Sequence, residues 1–404
     1  MRHIAVIGGG QAGHSAAARL RSLGYEGRIT LICGEQEPPY QRPPLSKKFL
    51  LDQFVRARLY LRGESFYSDN DIELRLGTWC HHIDMDSKRI DCGDDSIPFD
   101  KLIIATGSHP RTVDGPMGGN LAGIHTIRSL ADSDRIKSEL DKCARAIVIG
   151  GGYIGLEAAA SLKSKGLDVT VVEAAERILQ RVAARETSTR LRALHRQHGV
   201  EILENAPLKQ FEGDAQGRVA AAILEDGRRI AADLAIVGIG VLPTTALAER
   251  TGLALENGIR MDINCRTSVP FVFAAGDCAS FPWKTVRIRL ESVQNAIEQG
   301  EAAAANALGP EQAYEPVPWF WSDQYDVKLQ IAGLGHGHDR IICREGPSSS
   351  AVSHWYFRGN EFLAVDAIND ARSYMVGKKL LEAGKSPHHQ TVADPDSNLA
   401  ALLR

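Results

Sequence analysis

Short apolar runs alternate with glycine turns and amphipathic stretches through most of the chain. "HIAVIG" (3–8) reads as a buried strand, "GGQAG" (9–13) as a turn, "HSAAARLRSLGY" (14–25) as a helix and "RITLIC" (28–33) as a second strand. The same grammar returns at 146–173. There "AIVIG" is a strand, "GGYIG" a turn, "LEAAASLKSKG" a helix and "DVTVVE" the next strand. Strands that are apolar throughout belong to sheets covered on both faces, and strand–helix–strand order makes those sheets parallel. "FDKLIIATGSHPR" (99–111) and "VPFVFAAGDCA" (269–279) are two further strands. They run into Ala105, Thr106 and Gly107 and into Gly276 and Asp277. Ligands of open α/β sheets bind at such carboxyl ends.

"ADLAIVGIGVLPTT" (232–245) reads as the last strand of the second repeat. The domain built on the first repeat is therefore interrupted by the one built on the second. The expected division is 1–113 with 246–319, then 114–245, then a third part at 320–404. This tail changes character, with "KLQIAGL", "DRIICRE", "AVSHWYF" and "EFLAVDAIN" as strands of a small α+β domain. "SPHHQTVADPDSNLAALLR" predicts an extended segment and a short closing helix. The fold class is α/β, with two Rossmann-like domains plus the small C-terminal one.

The length of 404 residues suits two to three domains. A net charge of -3 argues against a chain built to bind nucleic acid or acidic membranes. The seven cysteines are dispersed and form no C-x-x-C, so neither a disulfide framework nor a metal site is expected. "LAIVGIGVL" falls far short of a membrane span. Arg2, the short run "IAVI" and "SAAA" do not make a signal peptide, because three glycines follow the apolar residues. The expectation is a soluble cytoplasmic protein, a monomer or weak dimer.

The two repeats carry the chemistry. Gly8, Gly10 and Gly13, and again Gly150, Gly152 and Gly155, fit G-x-G-x-x-G. These glycines permit a sharp turn and close approach to a pyrophosphate, with a helix N-terminus facing the phosphates. Glu35 and Glu173 follow the second strands, where an acid accepts from a ribose hydroxyl. A carboxylate at Glu173 also repels a 2′-phosphate, which favours NADH over NADPH. Arg177 and Arg181 offer the opposite possibility, binding that phosphate. Glu157, two residues past Gly155, is either a first-turn acid favouring the helix dipole or a group with a specific task.

In chain order, "GGGQAG", "PPYQRPPLSK" (38–47), "IIATGSHPR", "GGGYIGLE", "FAAGDCA", "ESVQNAIEQG" (291–300) and "VPWFWSDQYDVKLQIAG" (317–333) resemble the FAD-dependent NADH:ferredoxin reductases. This is the group of putidaredoxin reductase and the reductases of aromatic-ring dioxygenases. The resemblance spans nearly the whole chain; "RPPLSK" and "WFWSDQY" are its most specific parts. It implies a glutathione-reductase-like arrangement of FAD-binding, NADH-binding and C-terminal domains. It implies a reductase in which NADH gives a hydride to FAD and a [2Fe–2S] ferredoxin takes single electrons for a cytochrome P450 or a ring-hydroxylating oxygenase.

For FAD the resemblance implies Gly8, Gly10, Gly13, Glu35, Arg42, Pro44, Lys47, Cys80, Ala105, Thr106, Gly107, Arg128, Asp277 and Val293. For NADH it implies Gly150, Gly152, Ile154, Gly155, Glu157, Glu173, Arg181 and Gly240. Lys47 approaches the reactive edge of the flavin, unless it is a solvated lysine starting a helix capped by Ser46. Glu157 orients the nicotinamide. Trp319 and Trp321 share one side of an extended segment. Trp321 serves the flavin and ferredoxin side, or the pair is a hydrophobic staple. Lys284, Arg287 and Arg289 form either a docking patch for an acidic ferredoxin or a solvated face.

Glutathione-reductase-type disulfide chemistry lacks its cysteine pair, since 36–50 holds no cysteine. The alternatives left are a non-catalytic FAD- and NAD-binding protein of the apoptosis-inducing-factor type and a rubredoxin reductase.

Overall fold

The computed structural model describes residues 2–63, 65–309 and 311–403. Contacts divide the chain into two compact units. The first comprises Met1–Gln41, Arg56–His109 and Val241–Pro316; the second comprises Arg42–Val55, Pro110–Gly240 and Val317–Arg404.

The first unit is built on a five-stranded parallel sheet. Its order is Val272–Ala274, Lys101–Ile104, β1 (His3–Ile7), β2 (Arg28–Ile32) and Ile72–Arg75. Ile4 of β1 lies opposite Ile29 and Lys101. Every residue of β1 is buried, as a central strand with both faces covered requires. The helix α1 (Gln11–Ser22) packs on the helix Val293–Leu308 through small residues. A Cβ on Gly300 would lie 2.3 Å from the Ala12 carbonyl oxygen, so only glycine permits this approach.

The second unit repeats the plan. A parallel sheet runs Glu201–Leu203, β4 (Asp168–Val172), β3 (Arg145–Ile149), Leu234–Val237 and Ile124–His125. The helix α2 (Tyr153–Ser164) links β3 to β4, and α3 (Arg185–Gln197) follows. An antiparallel five-stranded sheet holds the C-terminal residues. Its order is β5 (Trp319–Gln324), Val327–Gly333, Glu361–Ile368, Val352–Arg358 and Arg340–Glu345. The helix Ala371–Glu382 packs on it. The expected short closing helix is present as a 3-10 helix, Leu399–Leu403, but the segment before it is not extended throughout: it holds the short helix His389–Ala393. Arg344 holds this tail by donating to the carbonyls of Val392, Asp394, Pro395 and Ser397.

Both fingerprint helices begin earlier than the apolar pattern suggests, at Gln11 and Tyr153. The tight turn needs only Gly8–Gly10 and Gly150–Gly152. The third glycine of each motif lies inside the helix, where its bare Cα faces the turn.

The proline-rich segment 42–55 lies within the stretch expected of the first domain, 1–113, but belongs to the second unit. Hydrogen bonds explain this. Ser133 donates to the Leu45 carbonyl at 3.0 Å and Ser161 to the Ser46 carbonyl at 2.7 Å. Lys137 and Lys165 both reach the Asp52 carboxylate at 2.5 Å. Pro43 and Pro44 open a one-turn 3-10 helix that ends at Ser46.

Candidate functional site

The first cradle sits at the end of β1. Gly8 has φ +124°, and a Cβ there would lie 2.1 Å from the Ala105 carbonyl oxygen. A Cβ on Gly13 would lie 1.8 Å from the Gly8 oxygen. Both positions are thus closed to other residues by backbone atoms. A Cβ on Gly10, by contrast, would meet nothing within 4 Å. Gly10 is the N-cap of α1 and provides no side-chain cap, which leaves a helix N-terminus suited to an anion.

Glu35 accepts from the Tyr40 hydroxyl at 2.5 Å. The loop that carries Cys80 is tied to the same strand end, Gly77 N–H donating to the Glu35 carbonyl and Thr78 N–H to that of Cys33. Cys80 Sγ lies 3.3 Å from Cys92 Sγ. Thr106 donates to the Thr244 carbonyl at 2.7 Å, and Gly107 has φ +71°. Asp277 accepts from Ser108 at 2.8 Å. Val293 opens its helix behind the capping Ser292.

The second cradle has the same build. Gly150 has φ +104°, with its Cβ position 2.4 Å from the Gly238 oxygen; that of Gly155 is 2.1 Å from the Gly150 oxygen. Gly152 again faces open space. Ile154, in the first turn of α2, is 44% exposed, an apolar side chain left uncovered beside the cradle. Glu173 is fixed by two backbone donors, Gly151 N–H to Oε2 and Ala175 N–H to Oε1, each at 2.7 Å. Arg181 lies 3.5 Å from the Cβ position of Gly240.

Arg177, one of the two arginines weighed for a 2′-phosphate, has its guanidinium engaged within its own loop. It is turned inward, donating to Ser188 and to the carbonyls of Ala183 (2.9 Å) and Gln180 (3.3 Å). These bonds hold the loop before α3 and leave only Arg181 of the two arginines beside the cradle.

Between α2, β5 and the proline-rich segment lies a buried ion pair. Lys47 Nζ is 2.9 Å from Glu157 Oε1, and both side chains are nearly excluded from solvent. Ser322 donates to the same oxygen at 2.6 Å, and Ser46 donates to Oε2 at 2.8 Å. Asp323 stands 3.7 Å from Lys47 on the exposed side. Burial raises the Glu157 acid above the ordinary carboxylate value; the charge of Lys47, then Ser322 and Ser46, oppose that rise. Lys47 is therefore not a solvated lysine, and Ser46 spends its hydroxyl on Glu157 rather than on capping a helix. Arg42 donates to the Arg128 carbonyl at 2.7 Å, which braces the same segment.

The two tryptophans of β5 lie side by side, their ring centroids 5.7 Å apart. Phe320 points the other way, onto Tyr153 at 4.7 Å. Trp319 also meets Tyr374 and Lys378 of the helix Ala371–Glu382, so it is the stapling member of the pair. In the first unit, Arg287 donates to the carbonyls of Met261 and Ser280 and pairs with Glu256. Arg289 donates to the Asp277 carbonyl and pairs with Glu291. Lys284 lies over the Trp283 ring at 4.9 Å.

Sequence reasoning missed Ser322, Gln324, Asp323 and His195, and gave Ser46 the wrong partner. Ser322 and Gln324 alternate with Trp321 and Asp323 along β5. Their polar character at buried positions is the signal that was available.

Among the described residues, no group of three or more His, Cys, Asp or Glu could hold a metal ion, and no helix is long and apolar enough to cross a membrane. Comparison with known proteins adds the family. Residues 2–300 match the pyridine nucleotide-disulphide oxidoreductase family model, and residues 319–403 match a reductase C-terminal model. Rhodocoxin reductase of Rhodococcus erythropolis is 41% identical over 403 residues, covering 99% of this chain and 94% of that protein. The ferredoxin reductase for the CYP199A2 system of Rhodopseudomonas palustris superposes with a TM-score of 0.97, at 34% identity and over the full length of both chains. The covalent complex of putidaredoxin reductase with putidaredoxin gives 0.95, at 35% identity, covering 100% of this chain and 98% of that one. The chain thus belongs to the pyridine nucleotide-disulphide oxidoreductases, and within them to the ferredoxin reductases of the putidaredoxin reductase type.

Proposed function

We propose that this protein takes a hydride from NADH onto FAD and delivers electrons singly to a [2Fe–2S] ferredoxin that serves a cytochrome P450 or a ring-hydroxylating oxygenase. The observation that carries the reading is the doubled cradle, one copy of which adds the buried Lys47–Glu157 pair. Both cradles pass a simple test of fit: the middle glycine faces open space at a helix N-terminus, and an acid stands at the end of the next strand.

FAD supplies the step from a two-electron donor to a one-electron acceptor. In this reading Gly8, Gly10, Gly13 and Glu35 hold its adenosine diphosphate part, and Cys80, Ala105–Gly107, Asp277 and Val293 line its path. Arg42, Pro44 and Arg128 support the segment that presents Lys47. The Lys47 ammonium is held by Glu157 and steadies negative charge at the flavin edge. Gly150, Gly152, Ile154, Gly155, Arg181 and Gly240 receive NADH, while Glu173 selects its free 2′-hydroxyl. Glu157 orients the nicotinamide, and Trp321 faces the electron acceptor. Functionally, 1–113 with 246–319 is the FAD part, 114–245 the NADH part and 320–404 the C-terminal part.

Glutathione-reductase-type disulfide chemistry lacks its cysteines, since 36–50 holds none. Burial and the Glu35 charge push the Cys33 thiol up to about 12, so it carries no reactive thiolate at neutral pH. We place the protein in the cytoplasm, where NADH is supplied and dispersed thiols stay reduced.

Stopped-flow absorbance tests the reading. Mixing with NADH should bleach the flavin rapidly, and a [2Fe–2S] ferredoxin should restore the colour. Slow bleaching into a long-lived complex that no carrier reoxidises would favour the apoptosis-inducing-factor type. Reoxidation by a rubredoxin but not by ferredoxins would reassign the acceptor.

A further inference from the structure

Glu157 is the end of a longer line of hydrogen bonds, all within the second unit. Ser322 donates to Glu157 Oε1 at 2.6 Å. Gln324 Nε2 donates to Ser322 Oγ at 3.1 Å. His195 Nε2 meets Gln324 Oε1 at 2.8 Å. Ser322, Gln324 and His195 are 1%, 2% and 0% exposed, so bulk water cannot replace any link.

We propose that Ser322, Gln324 and His195 are positioning residues for Glu157, forming a one-way hydrogen-bond chain that fixes the direction of its carboxylate. The inference rests on the reading of Glu157 as the group that orients the nicotinamide.

The chain has only one consistent polarity. Glu157 is hydrogen-bonded as an acceptor, so the Ser322 proton points to it. The Ser322 lone pair then faces the Gln324 amide NH2, which leaves the amide oxygen facing His195. His195 must therefore carry its proton on Nε2. Two facts agree with that tautomer. Nδ1 of His195 is buried and makes no hydrogen bond within the described residues. Burial also lowers the imidazole to about 4, so at neutral pH it is neutral and has a single N–H to give.

The role of His195 is to prevent a reversal. Were the Gln324 amide flipped, its oxygen would face Ser322 and its NH2 would face the His195 N–H, unless the imidazole moved its proton to Nδ1, where the described residues offer it no acceptor. The Ser322 proton would then turn to that oxygen and leave Glu157. Oε1 would keep Lys47 but lose the donor that sets its angle. His195 lies on α3 and Gln324 on β5, so the chain also joins two elements. A purely structural tie predicts different behaviour under substitution.

The experiment uses the FAD-loaded protein and four variants. Ser322→Ala and His195→Leu break the chain. His195→Gln keeps an N–H at the Nε2 position. Glu157→Gln is the reference. Breaking the chain should slow flavin reduction by NADH about tenfold and leave reoxidation by a ferredoxin within about twofold. His195→Gln should restore most of the lost rate. A second readout needs no turnover. In protein labelled with δ-13C glutamate, the Glu157 resonance is identified by its loss in Glu157→Gln. It should move in Ser322→Ala and His195→Leu and return in His195→Gln.

Equal effects of His195→Leu and His195→Gln would overturn the chain, as would an unmoved resonance in Ser322→Ala. Should Glu157→Gln itself reduce FAD at the normal rate, the nicotinamide reading fails, and the resonance still decides whether the chain exists. If His195→Leu does not fold, Ser322→Ala and His195→Gln carry the decision.

Discussion

The chain builds one cradle twice and then uses the copies differently. In each, the first glycine takes a positive φ against a carbonyl of the neighbouring strand end, and the third lies against the carbonyl of the first. The middle glycine is left facing open space. The differences begin just beyond the glycines. At the position of Glu157 the first copy has Ser15, and α1 packs by small residues on Val293–Leu308. The second copy buries a carboxylate there and offsets its desolvation with Lys47, Ser46 and Ser322. The acids differ as well: Glu35 accepts from a tyrosine, whereas Glu173 is clasped by two backbone N–H groups, Gly151 of its own cradle and Ala175 of the loop that follows it. A cofactor that stays needs only to be held. A co-substrate that comes and goes must also be aimed; in the function proposed above that task falls to Glu157, and among the described residues a buried carboxylate paired with a lysine stands only in the second copy.

The sharpest way to break this comparison is to damage one copy at a time. In Gly13→Ala the new Cβ falls 1.8 Å from a backbone oxygen, and in Gly155→Ala 2.1 Å, so neither clash is relieved by a side-chain rotation. Gly13→Ala should purify without its yellow cofactor, read from the ratio of flavin to protein absorbance. Gly155→Ala should remain yellow but be reduced by NADH at least about 100-fold more slowly. Loss of FAD from both would end the division of labour. Next in size is the pair Glu157→Gln and Ser15→Ala. The first should lower the rate of flavin reduction by about 10- to 100-fold with FAD retained, since it leaves the buried Lys47 with only the more distant, half-exposed Asp323 as counter-charge. Ser15→Ala should change that rate less than about twofold. Stopped-flow traces of the two variants side by side measure the asymmetry directly.

The cradles were legible because their physics is local. A glycine forced to positive φ by a facing carbonyl, an apolar strand before it and an acid after the next strand all leave marks within about thirty residues. The C-terminal sheet was legible for the same reason: "AVSHWYF" and "EFLAVDAIN" became adjacent antiparallel strands. The helix starts were misjudged because Gly13 and Gly155 look like turn residues. Only the fold shows that their missing Cβ serves packing inside a helix. Arg177 had a plausible phosphate to bind in one dimension. In three, its donors are consumed by the loop that precedes α3. The Ser322–Gln324–His195 line was invisible for a related reason. Its members are 129 residues apart at the far link and 165 at the near one, and nothing local ties them together.

The third prediction concerns the acids. Glu173→Ala should narrow the preference for NADH over NADPH by about tenfold, measured as the ratio of the two kcat/KM values. Adding Arg177→Ala should leave that ratio where Glu173→Ala put it and lower thermal stability instead, because Arg177 binds only its own chain. A further shift of the ratio would return Arg177 to the phosphate.

The smallest effect reads the electrostatics of Glu157 through pH. Burial raises its acid, and Lys47, Ser322 and Ser46 pull it back, in that order for the two serines. If hydride transfer needs the carboxylate ionised, the rate of flavin reduction rises with pH through this group. Ser46→Ala removes one of the opposing donors, the one on Oε2, and must move that rising limb further toward alkaline pH. The sign for stability is fixed by the same direction. A folded-state acid above its unfolded value favours the fold when protonated. That contribution is complete below the ordinary glutamate value and is lost as pH rises through the folded one. Ser46→Ala should therefore lose more stability than the unmodified protein as pH rises above the ordinary glutamate value, and its reduction rate on the rising limb should fall on the order of a few-fold. Ser15→Ala provides the control from the other copy, where the described residues place no buried carboxylate to titrate. A limb that moves toward acid in Ser46→Ala, or moves equally in both variants, would show that the asymmetry between the cradles does not lie in Glu157.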